Sequence, residues 1–243
     1  MIGKENEFAN PVFIDPDSLI WNLKNKVHIW KFPVSPSSES LLSDAEVMIG
    51  RRFRFESDRN RFVTGRRSIR FLISKYLFVN PQDIDIVAEK GKKPFIGYPD
   101  TKIRFNISHS GQWVIVALAN EELGVDIEQV NPSFDYSILL EEHFSDEERR
   151  LIISAEIPVA AFYFLWTRKE ALVKAVGRGL QENLKAVSVL DQQGFVEIQK
   201  KKWKIKSFML SRDYPVSFAY SGSIEGIDYF DGNGLIAAQD QSK

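Results

Sequence analysis

The chain has 243 residues, 44% of them hydrophobic and 27% charged, with a net charge of -1. This balance suits a soluble globular protein with a sizeable core, in one large domain or two small ones, and argues against a wholly basic nucleic-acid binder. There is no cysteine, which excludes disulfides, thiolate metal sites and a cysteine nucleophile.

The N-terminal stretch carries charges and no long apolar run, and no segment reaches the roughly 20 apolar residues of a membrane span. The expectation is a cytoplasmic protein without a signal peptide or membrane attachment. Residues 1–26 read as an extension, broken by Asn10-Pro11 and Asp15-Pro16. Residues 27–34 alternate as a strand, with Val27, Ile29 and Lys31 on one face. Ser43 is an N-cap and Glu46, three residues on, completes a capping box. Helix in one or two pieces then runs to Leu77, and Asn80-Pro81 stops it. Residues 84–87 form a short strand, Gly91-Lys92-Lys93-Pro94 a turn, and residues 103–107 another strand. Residues 113–119 are almost continuously apolar, as in a buried strand.

The order then repeats in outline. Residues 125–127 read as a strand, Ser145 and Glu148 form a second capping box, and Pro158 separates that helix from another over residues 160–176. Phe162, Leu165, Trp166, Lys169, Leu172, Val173 and Val176 share one stripe of this last helix, with Glu170 and Lys174 at its margin. Residues 187–190, 195–198, 203–208 and 216–220 read as antiparallel strands, with Gln192-Gln193-Gly194 as a hairpin turn. The two capping boxes, at Leu42-Ser43-Asp44-Ala45-Glu46 and Phe144-Ser145-Asp146-Glu147-Glu148, suggest an internal duplication.

Two acidic segments carry the chemical signal. In Gly124-Val125-Asp126-Ile127-Glu128, strand alternation places Asp126 and Glu128 on one face. In Trp166-Thr167-Arg168-Lys169-Glu170-Ala171-Leu172-Val173-Lys174, Glu170 lies one helical turn before Lys174. Three converging carboxylates suit a hard, oxygen-seeking cation, with Mg²⁺ the usual one where a phosphate completes the shell. The plain alternative is a pair of solvated strand-end acids and an ordinary Glu–Lys helix pair, which stabilises a helix by only about 0.2–0.5 kcal/mol. Between Arg51 and Lys75, nine basic residues face two acids, Glu56 and Asp58. Such a field attracts phosphates or an acidic partner, although a solvated helix face explains most single arginines there.

These segments, with Gly91-Lys92-Lys93-Pro94 and Phe105-Asn106-Ile107-Ser108-His109-Ser110 in the same order, make the chain resemble the larger, monomeric, surfactin-synthetase-activating 4′-phosphopantetheinyl transferases. The resemblance spans residues 51–220. It implies an α+β fold, a pseudo-two-fold pair of similar halves with coenzyme A in the cleft between them. The halves would cover residues 27–122 (adenine and 3′-phosphate side) and 123–231 (Mg and pyrophosphate side), followed by a tail over 232–243. It also implies transfer of the phosphopantetheine arm of coenzyme A to a serine of an acyl or peptidyl carrier protein, releasing adenosine 3′,5′-bisphosphate.

By the same resemblance, Asp126, Glu128 and Glu170 would hold Mg²⁺, with Mn²⁺ as the alternative ion. Glu170 or a metal-bound water would be the general base, and Lys174 would steady charge on the phosphates. Lys93, Pro94, Arg70, Ser108 and His109 match phosphate-binding positions, and Arg51 matches more loosely. Lys169 is divided between a ligand contact and a structural role, and Arg66 and Arg67 between ligand, carrier and solvent. Partners would be coenzyme A and an acidic carrier protein, with no nucleic acid or membrane and a monomeric enzyme. The competing readings are a catalytically silent coenzyme A or carrier binder on the same fold and an arginine-helix nucleic-acid binder. Retention of all three carboxylates and Lys174 weighs against the first.

Overall fold

The structure is a computed structural model that describes residues 11–16, 21–36, 38–89, 93–177, 181–190, 195–222 and 224–236. The described residues fall into two compact units, residues 12–120 with 224–236 and residues 121–222 with residue 11. No helix among them is long and apolar enough to cross a membrane.

In the first unit, strand β1 (Lys26–Pro33) leads to α1 (Asp44–Gly50) and α2 (Glu56–Leu77). The capping box forms as its sequence requires: Ser43 Oγ accepts from the Glu46 N–H, and Glu46 accepts from the Ser43 N–H at 3.0 Å. The helical stretch is therefore in two pieces. A small hairpin sheet follows, β2 (Asp85–Val87) with β3 (Phe95–Tyr98), and then the long hairpin of β4 (Arg104–Ser110) and β5 (Trp113–Ala119). β5 pairs antiparallel with β1. Trp30, Ile69, Leu72, Phe105, Val116 and Phe230 are among the residues of the core beneath α2.

In the second unit, β6 (Leu123–Ile127) is followed by α3 (Ser137–His143), α4 (Asp146–Ile153) and α5 (Pro158–Val176). Pro158 opens α5 from its first turn, where the missing N–H costs nothing. Then come β7 (Val196–Ile198), β8 (Lys201–Ser211) and β9 (Tyr214–Ser221), in the fully antiparallel order β6-β9-β8-β7. One further strand, β10 (Gly226–Asp231), returns to the first unit and pairs parallel with β1, giving the order β10-β1-β5-β4. Within the extension, Ile14 bridges to Phe230 on β10.

The duplication suggested by the capping boxes is visible as topology. β1, α1, α2, β4 and β5 have the same order and pairing as β6, α4, α5, β8 and β9: the sheets run β1-β5-β4 and β6-β9-β8. Each capping-box glutamate is also buried against a cation of the long helix. Glu46 meets Arg70 Nε at 2.6 Å, and Glu148 meets Lys169 Nζ at 2.9 Å. Each cation then donates to two carbonyls of the segment beyond its helix, Pro81 and Ile84 in one unit, Leu184 and Val187 in the other.

That bonding explains a departure from the expected strands. Residues 187–190 form no ladder, because side chains take their backbone groups. Lys169 holds the Val187 carbonyl, Arg168 the Val189 carbonyl at 2.8 Å, and Glu148 the Val189 N–H at 2.9 Å. The expected turn at Gln192-Gln193-Gly194 lies outside the described residues, as do Gly91-Lys92, residues 1–10 of the extension and residues 237–243 of the tail.

Candidate active site

In the second unit the site begins with a glycine. A Cβ on Gly124 would lie 2.3 Å from the Ala171 carbonyl oxygen and from the Ala175 nitrogen. Only a residue without a side chain lets β6 lie so close to the α5 backbone. Two residues on, Asp126 is buried, and Lys174 Nζ donates to its Oδ1 at 2.6 Å. Glu170 sits half-buried one turn before Lys174. Burial, and then the negative charge of Asp126, hold the Glu170 carboxyl above its ordinary range, while Lys174 pulls it back. Asp126 and Glu170 thus feel each other across the β6–α5 contact, as like charges sharing one ammonium.

Glu128 lies just past the end of β6, half-buried, with its N–H donating to the Pro215 carbonyl at 3.3 Å. Its charge adds to the burial that pushes the Tyr163 phenol up. Among the described residues no three acidic or histidine side chains are grouped to hold an ion. The pair Asp126 and Glu170 is brought together; the expected triad with Glu128 is not. The donor set still suits a hard cation, because two neighbouring carboxylates favour additional positive charge.

Lys169, on the same helix, has no accessible surface, and Glu148, Leu184 O and Val187 O occupy its three donors. It is a scaffold pin rather than a ligand-facing cation. Arg168 and Thr167 are likewise tied inward. Arg168 donates to Ser207 Oγ, and Ser207, Ser217 and Thr167 form a chain of hydroxyl contacts at 2.9 Å each.

In the first unit, a cavity of about 160 Å³ opens between α2 and β4; Arg61, Phe62, Arg66, Pro94 and His109 are among its lining residues. Gly65 again permits close approach, since its Cβ would be 3.3 Å from Ile107 Cγ2. Arg61 is held by Asp58 and donates to the Gly111 carbonyl at 3.3 Å. Arg66 lies over the Phe62 ring at 5.5 Å, with Glu46 at 3.9 Å. Two cations, an imidazole and a proline edge in one small cavity suit a phosphate group.

Several expected ligands are elsewhere. Arg70 is buried in its pin to Glu46 and does not line this cavity. Arg51 is exposed and pairs with Glu39 at 3.0 Å. Ser108 and His109 do not converge, because β4 continues to Ser110 and neighbouring strand residues face opposite sides. Ser108 is buried while His109 is exposed at the cavity. Lys93 is half-buried beside Pro94 and is not among the lining residues. Arg61 was missed by sequence reasoning. Its signal was the i, i+4 pairing of Arg61 with Gly65, a small residue in mid-helix where another element could approach.

The chain thus combines a duplicated α+β scaffold with an acidic pair at one long helix and a small basic cavity at the other. Family models for the 4'-phosphopantetheinyl transferase superfamily and for the N-terminal part of 4'-phosphopantetheinyl transferases match residues 122–219 and 36–121. The 4'-phosphopantetheinyl transferase HetI of Nostoc sp. is 31% identical over 169 residues, covering 65% of this chain and 71% of HetI. Sfp of Bacillus subtilis, also a 4'-phosphopantetheinyl transferase, is 35% identical over 154 residues, covering 61% of this chain and 66% of Sfp. The slr0495 protein of Synechocystis sp. is 32% identical over 159 residues, and the match spans 65% of its length. The chain belongs to the 4'-phosphopantetheinyl transferase superfamily and is of the Sfp-like type.

Proposed function

We propose that this protein transfers the 4′-phosphopantetheine arm of coenzyme A to a serine hydroxyl of an acyl or peptidyl carrier protein. The serine oxygen attacks the phosphorus nearest the pantetheine. The bond from that phosphorus to the bridging oxygen breaks, and adenosine 3′,5′-bisphosphate leaves. The arrangement of Asp126, Glu170 and Lys174 where β6 meets α5 is the observation that carries this reading.

Asp126 and Glu170 would hold Mg²⁺, with Glu128, two residues beyond Asp126, as a further candidate ligand, and the ion would supply charge neutralisation at the pyrophosphate oxygens. Lys174 carries a compact positive charge that stabilises the phosphate oxygens as charge develops on them. The serine proton would pass to Glu170 or to a metal-bound water, a carboxylate that holds a cation being the weaker base. Arg61, Arg66 and His109 are proposed to bind the 3′-phosphate, the guanidinium of Arg61 being held in place by Asp58.

The test is to incubate the protein with coenzyme A, Mg²⁺ and several apo carrier proteins and to weigh the carriers by mass spectrometry. The expected result is a phosphopantetheine-sized gain on the acceptor serine, abolished by EDTA and by Asp126→Ala. No gain on any carrier, with coenzyme A still bound, would replace this reading with that of a silent binder.

A further inference from the structure

The arginine-rich stretch is less uniform in space than in sequence. Arg51 and Arg59 both hold Glu39, and Arg61 holds Asp58. Arg67 and Arg70 are buried. Arg52 and Arg54, in contrast, are exposed and have no acidic partner among the described residues.

Around those two cations, large apolar side chains face solvent: Met48 is 59% exposed, Ile49 42%, Phe53 40% and Phe55 58%. All lie between the last turn of α1 and the start of α2. Phe55 also breaks a local rule. It is the N-cap of α2, in extended conformation and without a side-chain cap bond, where Ser, Thr, Asp or Asn would satisfy a free N–H. A residue that opposes local preference and gains no burial is usually kept for another purpose. Exposed aromatics interleaved with arginine have the composition of a protein-interface core.

We propose that residues 48–55 form the docking surface for the acceptor protein, through an amphipathic helix whose apolar face is flanked by Asp and Glu. The identity of that partner as the acceptor rests on the transferase reading above. The chemistry of the partner follows from the surface. Phe53, Phe55, Met48 and Ile49 supply an apolar anchor, while Arg52 and Arg54 attract carboxylates and speed encounter. The surface also adjoins the cavity of the first unit: the Phe53 ring packs on Phe62 at 5.3 Å, and Phe62 lines that cavity. Nucleic acid fits less well, because four large exposed apolar side chains outnumber the two arginines of the patch.

Two variants test this. Phe55→Ser installs a helix cap and should raise the melting temperature by roughly 2–4 °C, so any loss of function is not a folding loss. It should raise the KM for an apo acyl carrier protein about fivefold. The double variant Arg52→Glu with Arg54→Glu should raise that KM about tenfold or more and flatten its salt dependence. Both should leave the KM for coenzyme A unchanged. Fluorescence anisotropy with a carrier whose acceptor serine is replaced by alanine reads docking directly and should weaken in parallel. Wild-type carrier KM and affinity in both variants would overturn the proposal. So would a rise in the coenzyme A KM alone, or lost binding to anionic vesicles with carrier binding intact. If the wild type transfers to no carrier, the transferase reading falls. Anisotropy then still decides the surface: weakening in both variants supports it and no change refutes it.

Discussion

On α5 of the second unit, Glu170 and Lys174 follow Lys169, which is pinned to Glu148; counted from the pinned cation, α2 of the first unit carries Phe71 and Lys75 after Arg70, which is pinned to Glu46. The same count sets Arg61 and Arg66, which line the basic cavity, against Ala160 and Leu165 on α5. The pins recur in both units, down to the two carbonyls each cation holds. The candidate functional groups do not recur, except that Lys174 matches Lys75, which has Phe71 and no acid one turn before it. A pinned cation shared by the two units is therefore scaffold, and groups that differ between them are the candidates for chemistry. By that criterion Lys169 and Arg70 leave the list of ligands although both match phosphate-contacting or signature positions, and Arg61 joins it.

The largest expected effect tests the pins. Lys169→Met leaves Glu148 fully buried without its cation, a loss of about 3–5 kcal/mol by analogy with broken buried pairs. Arg70→Met should cost less, because Glu46 keeps Arg66 at 3.9 Å and is slightly more accessible. Denaturant unfolding of both variants measures the difference. A cost for Arg70→Met equal to or above that of Lys169→Met would break the proposed equivalence of scaffold and its asymmetry.

The units also differ in their response to acid. In the first unit burial pushes the His28 pKa from 6.5 down to about 4, and its Nδ1 shares a 2.5 Å hydrogen bond with the Tyr76 hydroxyl. The unfolded chain therefore binds more protons between these values. Stability is full above pH 6.5 and falls as the pH drops toward 4, by about 3 kcal/mol in total. Glu170 in the second unit has the opposite sign: its raised pKa makes ionisation costly in the folded state, so acid relieves that cost. Hydrogen exchange between pH 7 and 4.5 should show β1 and β10 losing protection before β6 and α5. The reverse order would refute the assignment.

A third contrast concerns the acid that has no counterpart. Glu170→Gln should lower transfer about 100-fold, while Phe71→Leu at the equivalent place leaves turnover near wild type. Single-turnover mass spectrometry of the carrier reads both. Glu170→Gln should also be more stable than wild type at pH 7, with the gain shrinking as the pH falls toward the ordinary carboxylate range.

Much of this was legible from local sequence, where one or two bonds decide the outcome. Both capping boxes, the break between α1 and α2, and the Glu170–Lys174 spacing follow from short-range chemistry. What was not legible depends on partners distant in sequence. Nothing near Gly226 announces a parallel pairing with β1, and residues 187–190 are apolar enough for a strand until Lys169, Arg168 and Glu148 claim their backbone. At the site, a short continuation of β4 decided that Ser108 and His109 face opposite ways. Asp58 and Gly65 decided which arginine reaches the cavity, and neither is visible as a ligand signal in a run of nine basic residues.

The smallest effect sharpens the assignment of that cavity. Arg61→Ala and His109→Ala should each raise the KM for coenzyme A about tenfold, near 1.4 kcal/mol of lost phosphate binding, with little change in turnover. The same variants should narrow the preference for coenzyme A over dephospho-coenzyme A, because the missing 3′-phosphate removes the group they would contact. Arg51→Ala should leave both constants near wild type, since Arg51 spends its guanidinium on Glu39 at the surface. The opposite pattern, with Arg51→Ala raising the KM and Arg61→Ala silent, would return the 3′-phosphate to Arg51. It would also show that Glu39 releases its arginine when coenzyme A binds, and that uniqueness to one unit is a poor guide to which cations bind ligand.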